Sequence, residues 1–519
     1  MIRTRFAPSP TGYLHIGGVR TALFNYLFAK KHGGQFILRI DDTDRQRNVA
    51  EALQPILDGL RWLGINWDEG PETGGQYAPY YQSQRTGKYQ AAVDELLRRG
   101  AAYRDFAAPE EIQAERDTAL NEKKTYTYSR TWAAQNDDDV KKFEAEGRQS
   151  VVRLKMPRSG SLIIHDLIRG DVEFQWADEQ DHVIQRADGS FIYHLANVVD
   201  DEDFRISHVI RAEEHLSNTP RQIFMIQALG YRLPEYAHLP FVAEPGSKTK
   251  LSKRKLDKYL KNKDFSKLMT HGKSIAGRIG LEITDDNFNP VITDFYEQVG
   301  YLPEAVVNAM ALVGWALDDK TEFFFMPDLI EHFSLAGVTK GAASFDPAKL
   351  FAFQEKHFVT KTAEEKYELC KPFLEKGNLT IPSKPFLLKL IEAAGDRIKV
   401  AGDILDFADF FMPDEALPYN EADVAKRFTP ESLPLLQEFA ARLERQDDWS
   451  SAALEALMQQ FLDEKQIKAN QVIHTLRVAV TGKSTGLGMF ETLALLGKER
   501  VRRRIERAVA LKTPQEQTS

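Results

Sequence analysis

The sequence contains very little cysteine, since Cys370 is the only one among 519 residues. A single cysteine excludes an intramolecular disulfide and any zinc site built from several cysteines. It is typical of a reducing compartment. Long hydrophobic runs are also missing: an apolar stretch such as 309–317 is far shorter than the roughly 20 residues that cross a bilayer. The N-terminal residues lack the apolar core of a signal peptide. We therefore expect a cytoplasmic protein with no membrane contact.

The chain has no excess of positive charge. Its 68 Lys and Arg residues are outnumbered by 76 Asp and Glu, which leaves a net charge of −8. The whole surface is therefore not a general binder of polyanions, and any contact with nucleic acid requires local basic segments. The length favours three or four domains. There is no internal repeat or low-complexity segment, and residues 513–519 are expected to be a disordered tail.

The first 31 residues predict a strand, a turn and a helix. Residues 2–7 are typical of a strand, the Pro- and Gly-bearing residues 8–12 of a turn, and residues 19–31 of a helix with one apolar face. This arrangement directs helix N–H groups and the helix dipole at the turn, where a phosphate can bind. His15 is placed to touch such a phosphate. From these residues alone, an ordinary surface histidine on a Gly-rich turn explains it equally well.

A second strand, residues 35–40, follows this helix and predicts a parallel βαβ unit. It is followed by the acidic residues of segment 41–44, and ligands collect at the carboxyl ends of parallel strands. We expect Asp41 to contact a cationic group of a ligand. Thr43 and Asp44 are better explained as caps of the next helix, residues 49–63.

The middle of the chain predicts an inserted α/β module over residues 100–188, with strands at 151–156 and 162–166. The first sheet is expected to resume with residues 191–201. From residue 301 onward the pattern is mainly helical.

Residues 246–267 form the most basic segment, with nine Lys or Arg against two acids. A run of this kind is either a solvated face or a mobile loop beside a phosphate site. From the residues alone, both interpretations stay open.

Several motifs carry a resemblance to a known family. Residues 5–12 (RFAPSPTG), followed by 15–18 (HIGG), resemble the HIGH region of class I aminoacyl-tRNA synthetases, and 250–254 (KLSKR) resembles their KMSKS motif. The segments that occur in the order typical of glutamyl-tRNA synthetases are 39–44, 193–201, 209–215, 300–305 and 476–482. The resemblance spans nearly the whole chain. It implies an α/β, Rossmann-type class I catalytic domain with a connective insertion, followed by a mainly α-helical C-terminal anticodon-binding region.

This organisation suggests five segments. The expected boundaries are 1–99 and 189–245 for the two halves of the catalytic domain, 100–188 for the connective, acceptor-binding insertion, 246–335 for a stem-contact domain and 336–512 for the anticodon-binding domain.

Residues 255–290 lengthen the chain after KLSKR beyond the usual family pattern. This segment either contacts tRNA phosphates, which would add salt dependence to tRNA binding, or is a passive surface elaboration.

The resemblance implies that L-glutamate is activated by ATP, accompanied by Mg²⁺, and that the glutamyl group then passes to the 3′ end of tRNA(Glu). Charge develops on phosphate oxygens in the first step, so positioning and electrostatic stabilisation dominate. The implied catalytic residues are His15, Lys250 and Lys253. The implied ATP-binding residues are Pro8, Thr11, Gly12, His15, Gly17, Gly18, Glu214, His215, Leu251, Ser252 and Lys253. The implied glutamate-binding residues are Arg5, Ala7, Ser9, Asp41, Tyr193, Asn197 and Arg211.

A carboxylate side chain is best held by arginine, which can grip it bidentately. The resemblance implies that Arg5 and Arg211 do so, and that Asp41 pairs with the α-ammonium group. Asp41 is shorter than the glutamate often found there, so the backbone or a water would have to compensate. From the residues alone, Arg5 could instead form an ion pair with Asp41 or Asp44.

Some family members carry a cysteine-rich zinc site in the insertion. Here residues 103–106 (YRDF) occupy that region, so we predict no structural zinc and no metal site on the protein. We also expect a monomer. The sequence leaves open whether tRNA(Gln) is charged as well as tRNA(Glu).

Three alternatives compete with this interpretation. A glutaminyl-tRNA synthetase would have a β-rich anticodon domain, and a truncated tRNA-modifying relative would lack the C-terminal half. A non-catalytic RNA-binding descendant need not retain the motif residues, whereas His15, Lys253 and Arg5 are all present.

Overall fold

A computed structural model of the protein describes residues 1–10, 12–43, 50–123, 126–247 and 249–511. Thr11 and Asp44, which the sequence analysis singles out, lie outside the described residues, as do Lys248 of the basic segment and the tail 513–519. The chain forms two compact units. The first consists of Met1–Ser266, Asp285–Phe295 and Pro303–Phe353, and the second of Lys267–Thr284, Tyr296–Leu302 and the chain from Gln354 onward.

All described strands belong to the first unit. In chain order they are β1 (Arg3–Phe6), β2 (Gln35–Leu38), β3 (Ala102–Asp105), β4 (Val151–Leu154), β5 (Ser161–Asp166), β6 (Gly170–Gln175), β7 (Val183–Gln185), β8 (His208–Ala212), β9 (Glu235–Leu239), β10 (Val242–Ala243) and β11 (Ala343–Ser344).

The α-helices of the described chain are α1 (Ile16–Lys31), α2 (Leu53–Trp62), α3 (Thr86–Arg98), α4 (Pro109–Asn121), α5 (Asp137–Ala145), α6 (Tyr193–Asp203), α7 (Thr219–Leu229), α8 (Leu256–Tyr259), α9 (Lys263–Arg278), α10 (Thr293–Val299), α11 (Pro303–Ala311), α12 (Met326–His332), α13 (Pro347–Val359), α14 (Ala363–Lys376), α15 (Lys384–Ala394), α16 (Glu421–Arg427), α17 (Ser432–Arg445), α18 (Ser451–Lys465), α19 (Asn470–Thr481), α20 (Met489–Leu496) and α21 (Lys498–Ala510).

The predicted βαβ unit is confirmed. β1 and β2 pair in parallel, with Arg3 opposite Gln35, and α1 connects them. The connection returns tightly at Gly34, where a Cβ atom would lie only 2.3 Å from the Ile2 carbonyl oxygen. On the other side of β1, the Ser207 N–H donates to the Arg3 carbonyl at 2.9 Å, immediately before β8 begins. The strands that carry Arg5 and Arg211 therefore lie side by side.

A four-stranded sheet has the order β6-β5-β9-β8. β8 and β9 are parallel, with Arg211 opposite His238, and β5 joins β9 in parallel near Asp166. The insertion predicted over 100–188 contains a separate antiparallel sheet, β3-β4-β7. Its two predicted strands are present as β4 and β5, but β5 pairs with β9 and not with β4.

The prediction that residues 191–201 resume the sheet is wrong, because helix α6 occupies this stretch. Every residue from Leu195 to Asp201 is buried. A short run that is buried on all sides has the same pattern in a strand and in a core helix, so periodicity could not distinguish them. This helix places two predicted glutamate-binding residues together, because Tyr193 and Asn197 are four positions apart and therefore share a face.

The expected capping of the next helix by Thr43 is also wrong. α2 begins at Leu53 after a short 3₁₀ turn, and its N-cap is Ala52. Asp42 instead accepts hydrogen bonds from the N–H and the hydroxyl of Ser83, at 2.7 Å and 2.6 Å.

The second unit is helical, as predicted for the C-terminal half. In α15 the apolar stripe of Leu387, Leu390, Ile391 and Ala394 is buried, as its i, i+3, i+4, i+7 spacing indicates. The long segment after KLSKR contributes α9, whose Ile275 lies where Gly402 leaves room: a Cβ atom there would be 2.8 Å from the Ile275 side chain. His271 of the same helix lies 2.6 Å from Asp403. This part of the segment is therefore built into the core of the unit.

Candidate functional site

A cavity of about 770 Å³ opens in the first unit, where β1, β2 and β8 end. The predicted glutamate-binding residues that line it are Arg5, Ala7, Asp41, Tyr193, Asn197 and Arg211. The predicted catalytic and ATP-binding residues that line it are His15, Gly17, Gly18, Glu214, His215, Lys250, Leu251, Ser252 and Lys253. Pro8, Ser9 and Gly12 are not among the lining residues. The roles assigned to individual residues stay predictions.

The floor of the cavity is a buried network of charges. Arg5 donates to both carboxylate oxygens of Asp201, at 3.1 Å and 3.2 Å. Arg39 donates to Asp201 at 2.7 Å and to Asp41 at 2.7 Å. Arg5 is therefore paired with Asp201 and not with Asp41, while Asp44, the other partner considered, lies outside the described residues.

Sequence reasoning missed Arg39 and Asp201. Asp201 lies four positions after Asn197, so it would have been found on the cavity face of α6 had that helix been predicted. For Arg39 there was a signal, since it directly precedes Asp41 at the end of the second predicted strand.

Arg211 is a further arginine of the cavity, and its positive charge has no carboxylate partner in this network. It is 5% exposed, and it donates through Nη2 to the Thr219 hydroxyl at 3.0 Å. Within the described chain, its Nη1 has no hydrogen-bond partner. Burial lowers the pKa of this guanidinium group, because a desolvated cation is disfavoured. A buried, incompletely bonded arginine in a cavity is a site for an anion.

The pKa of the Asp41 carboxyl group is shifted as well. Burial raises its pKa to about 6, and the neighbouring Arg39 opposes that shift. The Asp41 N–H also donates to the Pro8 carbonyl at 3.0 Å, which ties the end of β2 to the turn after β1. At neutral pH the carboxylate is ionised and lines the cavity, where a cationic group can approach it.

His15 is the N-cap of α1, and its Nδ1 accepts a hydrogen bond from the Gly17 N–H at 3.0 Å. Burial lowers its pKa to about 4, with further lowering from Lys253 and Lys250. The ring is therefore neutral at pH 7, and its proton is on Nε2 because Nδ1 accepts. His15 Nε2 is buried, with no partner among the described residues. It is available as a donor to a ligand in the cavity.

The basic loop supplies the opposite wall. Lys250 is ion-paired with Glu214, and Lys253 Nζ lies 5.8 Å from the centre of the Tyr13 ring. Burial lowers the pKa of Lys253. The loop is held from behind by a hydrogen bond from the Ser252 N–H to the Tyr259 hydroxyl at 2.8 Å, and by Lys255 on buried Glu244 at 2.9 Å. Part of the basic segment thus faces the cavity.

In the insertion, the region where a zinc site was considered contains a network of hydrogen bonds. Asp181 accepts from the Tyr103 hydroxyl at 2.8 Å and from Arg130 at 2.6 Å. Asp105 accepts from the Tyr128 hydroxyl at 2.6 Å. In the part of the chain that the structure describes, no group of three or more His, Cys, Asp or Glu side chains could hold a metal ion.

The second unit has a cavity of its own, of about 940 Å³. Its lining includes the aromatic residues Phe407 and Tyr419 and three cationic side chains, Arg278, Arg397 and Lys483. Arg278 and Lys483 are paired with Asp406 and Asp409 of the same lining, whereas Arg397 is not. Cations beside aromatic rings suit the phosphates and bases of single-stranded nucleic acid.

Among the described residues, no helix is both long enough and apolar enough to span a membrane.

Comparison with known protein families finds two domains in the chain. Residues 1–287 match the model of the catalytic domain of class I tRNA synthetases (E and Q), and residues 365–509 match that of an anticodon binding domain. The first match includes every residue of the KLSKR loop.

Curated relatives align with almost the whole chain. The glutamate–tRNA ligase of Moorella thermoacetica is 40% identical over 513 residues, and glutamate–tRNA ligase 2 of Caldicellulosiruptor saccharolyticus is 38% identical over 509. Each alignment covers 98% of both chains. The crystal structure of a glutamate tRNA ligase from Elizabethkingia meningosepticum in complex with its amino acid superposes with a TM-score of 0.84 at 32% identity, over 98% of this chain and 99% of that one.

Proposed function

The chain belongs to the glutamate–tRNA ligase family of class I tRNA synthetases, and we propose that it activates L-glutamate with ATP and transfers the glutamyl group to the 3′ end of tRNA(Glu). The observation that carries the proposal is the composition of the 770 Å³ cavity. Its lining brings together the incompletely bonded Arg211, the His15 Nε2–H and the Lys253 ammonium group. An anionic amino acid and a polyphosphate can meet between them.

The charges at the amino acid end favour glutamate over glutamine. Arg5 and Arg39 are paired with the carboxylates of Asp41 and Asp201. Arg211 donates only to neutral groups of His238, His215 and Thr219 in the described chain, so its positive charge is left without a carboxylate partner. A glutamate side chain neutralises it, and its α-ammonium group can approach Asp41. A neutral glutamine would leave Arg211 desolvated and unpaired, which gives strong discrimination.

The other end of the cavity fits the nucleotide. Charge moves onto phosphate oxygens when the α-carboxylate attacks and pyrophosphate leaves. The neutral His15 donates from Nε2, the first N–H groups of α1 add the helix dipole, and Lys253 adds a full charge. Mg²⁺ enters on the phosphates of ATP, since this ion retains most of its water and needs few protein ligands. We propose no structural zinc, and a stoichiometric zinc signal in pure protein would contradict this.

For the tRNA, we propose that the 940 Å³ cavity of the second unit receives anticodon nucleotides. Arg397 would face the backbone, while Tyr419 offers a ring for stacking. Replacing Arg397 with alanine should raise the KM for tRNA and leave the KM for glutamate unchanged. We further propose a monomeric, cytoplasmic enzyme, in keeping with the lone Cys370.

ATP–pyrophosphate exchange tests the proposal directly. Labelled pyrophosphate should enter ATP when glutamate is supplied, and the exchange is measured with and without tRNA. Exchange with glutamine instead of glutamate would indicate a glutaminyl enzyme. Binding of tRNA without exchange for either amino acid would indicate a non-catalytic RNA-binding protein. Charging of purified tRNA(Glu) and tRNA(Gln) with labelled glutamate then defines the accepted tRNAs.

A further inference from the structure

Arg211 is held from behind by two residues that do not line the cavity, His238 and Asp166. The Nε of Arg211 donates to His238 Nε2 at 3.1 Å, and His238 Nδ1 lies 2.6 Å from Asp166 Oδ2. All three are deeply buried: Arg211 is 5%, His238 0% and Asp166 4% exposed. The three side chains form one line from the interior to the cavity.

The sheet brings these residues together. Arg211 on β8 is directly opposite His238 on β9, and Asp166 ends β5 beside β9. Asp166 also accepts hydrogen bonds from the N–H groups of Ile168 and Arg169, at 2.9 Å and 2.8 Å. These backbone hydrogen bonds hold the carboxylate in the position in which it contacts the imidazole.

The partners of His238 Nε2 indicate one arrangement of protons, because the Nε–H of Arg211 and the hydroxyl of Thr219, at 3.1 Å and 3.3 Å, can both donate to it. A guanidinium group can donate but not accept, so His238 Nε2 must present its lone pair to Arg211. The ring proton is then on Nδ1, where it is donated to Asp166. Burial lowers the pKa of His238, which agrees with a neutral ring. Protonation of Nε2 would set an N–H against the N–H of Arg211.

We propose that Asp166 and His238 are positioning residues that lock Arg211 by holding His238 as its Nδ1–H tautomer. Arg211 Nε is taken by His238 and Nη2 by Thr219, so Nη1 is left to bind the side-chain carboxylate of the substrate. The identification of this carboxylate as that of glutamate rests on the proposed function. The tautomer of His238 and the positioning of Arg211, called the lock below, do not depend on that function.

The first test is nitrogen-15 NMR of the full chain labelled at histidine. The resonance that disappears in His238→Gln belongs to His238, and in the wild type at pH 7.5 it should show a protonated Nδ1 and an unprotonated Nε2. In Asp166→Asn the carboxamide NH₂ donates to Nδ1, so the proton should move to Nε2. A wild-type His238 that is protonated on Nε2, or on both nitrogens, would overturn the proposal, and this result needs no variant except the one used for assignment.

The second test is kinetic. Asp166→Asn and His238→Leu should raise the KM for glutamate by about ten- to a hundredfold, the range for losing one hydrogen bond to a charged group, and should leave the KM for ATP within about twofold. His238→Gln retains an acceptor and should lose less than His238→Leu. A matched control is His208→Gln, which changes a 7% exposed histidine on the same strand as Arg211 that does not line the cavity.

The outcomes separate this proposal from the proposed function. If the wild type shows no glutamate-dependent exchange but has the Nδ1–H tautomer, the function fails and the lock stands. If exchange is normal and His238→Leu leaves the KM for glutamate unchanged, the lock is wrong and the function stands.

Discussion

At the scale of single residues, Lys253 illustrates what one charge contributes when it is partly buried in a cavity. Its ammonium group lies beside the Tyr13 ring, and burial lowers its pKa. A charge in that position stabilises a phosphate best when negative charge develops there during the reaction.

We expect Lys253→Ala to lower the rate of ATP–pyrophosphate exchange by roughly a hundred- to a thousandfold, since the loss of one transition-state contact costs about 3–4 kcal/mol. The KM for glutamate should change much less. Lys261→Ala, which removes an exposed lysine of the same basic segment outside the cavity, is the control. Unchanged exchange in the Lys253 variant would remove this residue from the catalytic site.

Asp41 predicts a pH dependence. Burial raises its pKa to about 6, so above pH 6 it is ionised and can pair with an α-ammonium group. As the pH falls through 6, the carboxylate is protonated and the attraction is lost, while the glutamate side chain, with a pKa of about 4.3, stays mostly ionised.

The KM for glutamate should therefore rise by about tenfold between pH 7 and pH 5. Asp41→Asn should raise the KM throughout and make it nearly independent of pH in this range. A wild-type KM that stays flat from pH 7 to 5 would contradict the assigned role. The variant also distinguishes Asp41 from Asp294, whose burial likewise raises its pKa to about 6.

At the scale of elements, α21 shows how an Arg-rich helix can be structural. Asp414 accepts hydrogen bonds from Arg500 at 3.1 Å, Arg503 at 2.7 Å and Arg504 at 2.7 Å. Arg504 is fully buried. One carboxylate thus binds three arginines of the helix and is the counter-charge of the buried Arg504. These arginines of the helix therefore serve packing within the second unit.

We expect Asp414→Asn to lower the free energy of unfolding by roughly 3–5 kcal/mol, because it leaves the buried Arg504 without its counter-charge. Urea denaturation followed by circular dichroism would measure the loss. Glu415→Gln makes the same chemical change at an exposed neighbouring residue and should lie within about 0.5 kcal/mol of the wild type. Equal stability of the two variants would show that the cluster contributes little.

At the scale of the whole molecule, the net charge of −8 means that an anionic tRNA is attracted only by local cations. Exposed cations are screened by salt, whereas buried ones such as Arg211 are screened much less. The two substrates should therefore respond to salt differently.

Raising the salt concentration from 50 to 200 mM should weaken tRNA binding by roughly a hundredfold if about four phosphates are contacted. The KM for glutamate should change by less than about twofold over the same range. Filter binding and exchange kinetics at each salt concentration measure the two effects. A glutamate KM that rises in parallel with tRNA dissociation would contradict a buried amino acid site.

Local pattern along the chain was enough to predict the βαβ unit and the helical C-terminal half, and the family resemblance of the short motifs supplied most of the residues that line the cavity. The reason is that turns, helix stripes and short motifs depend on neighbours in the sequence. The same reasoning failed where burial removed the pattern, so α6 was predicted as part of a sheet, and Asp201 on its cavity face was missed.

Which charges meet was decided by the tertiary structure alone. Arg5 and its partner Asp201 are 196 positions apart, and Asp166 reaches His238 across 72, so no local rule connects them. Strand order and register place each acid beside its base. Burial then raises the pKa of Asp41, and hydrogen-bond partners set the tautomers of His15 and His238. The sequence could name the residue types needed for glutamate and ATP. Only the packed sheet determines which arginine stays incompletely paired, because desolvation and hydrogen bonding depend on the whole neighbourhood.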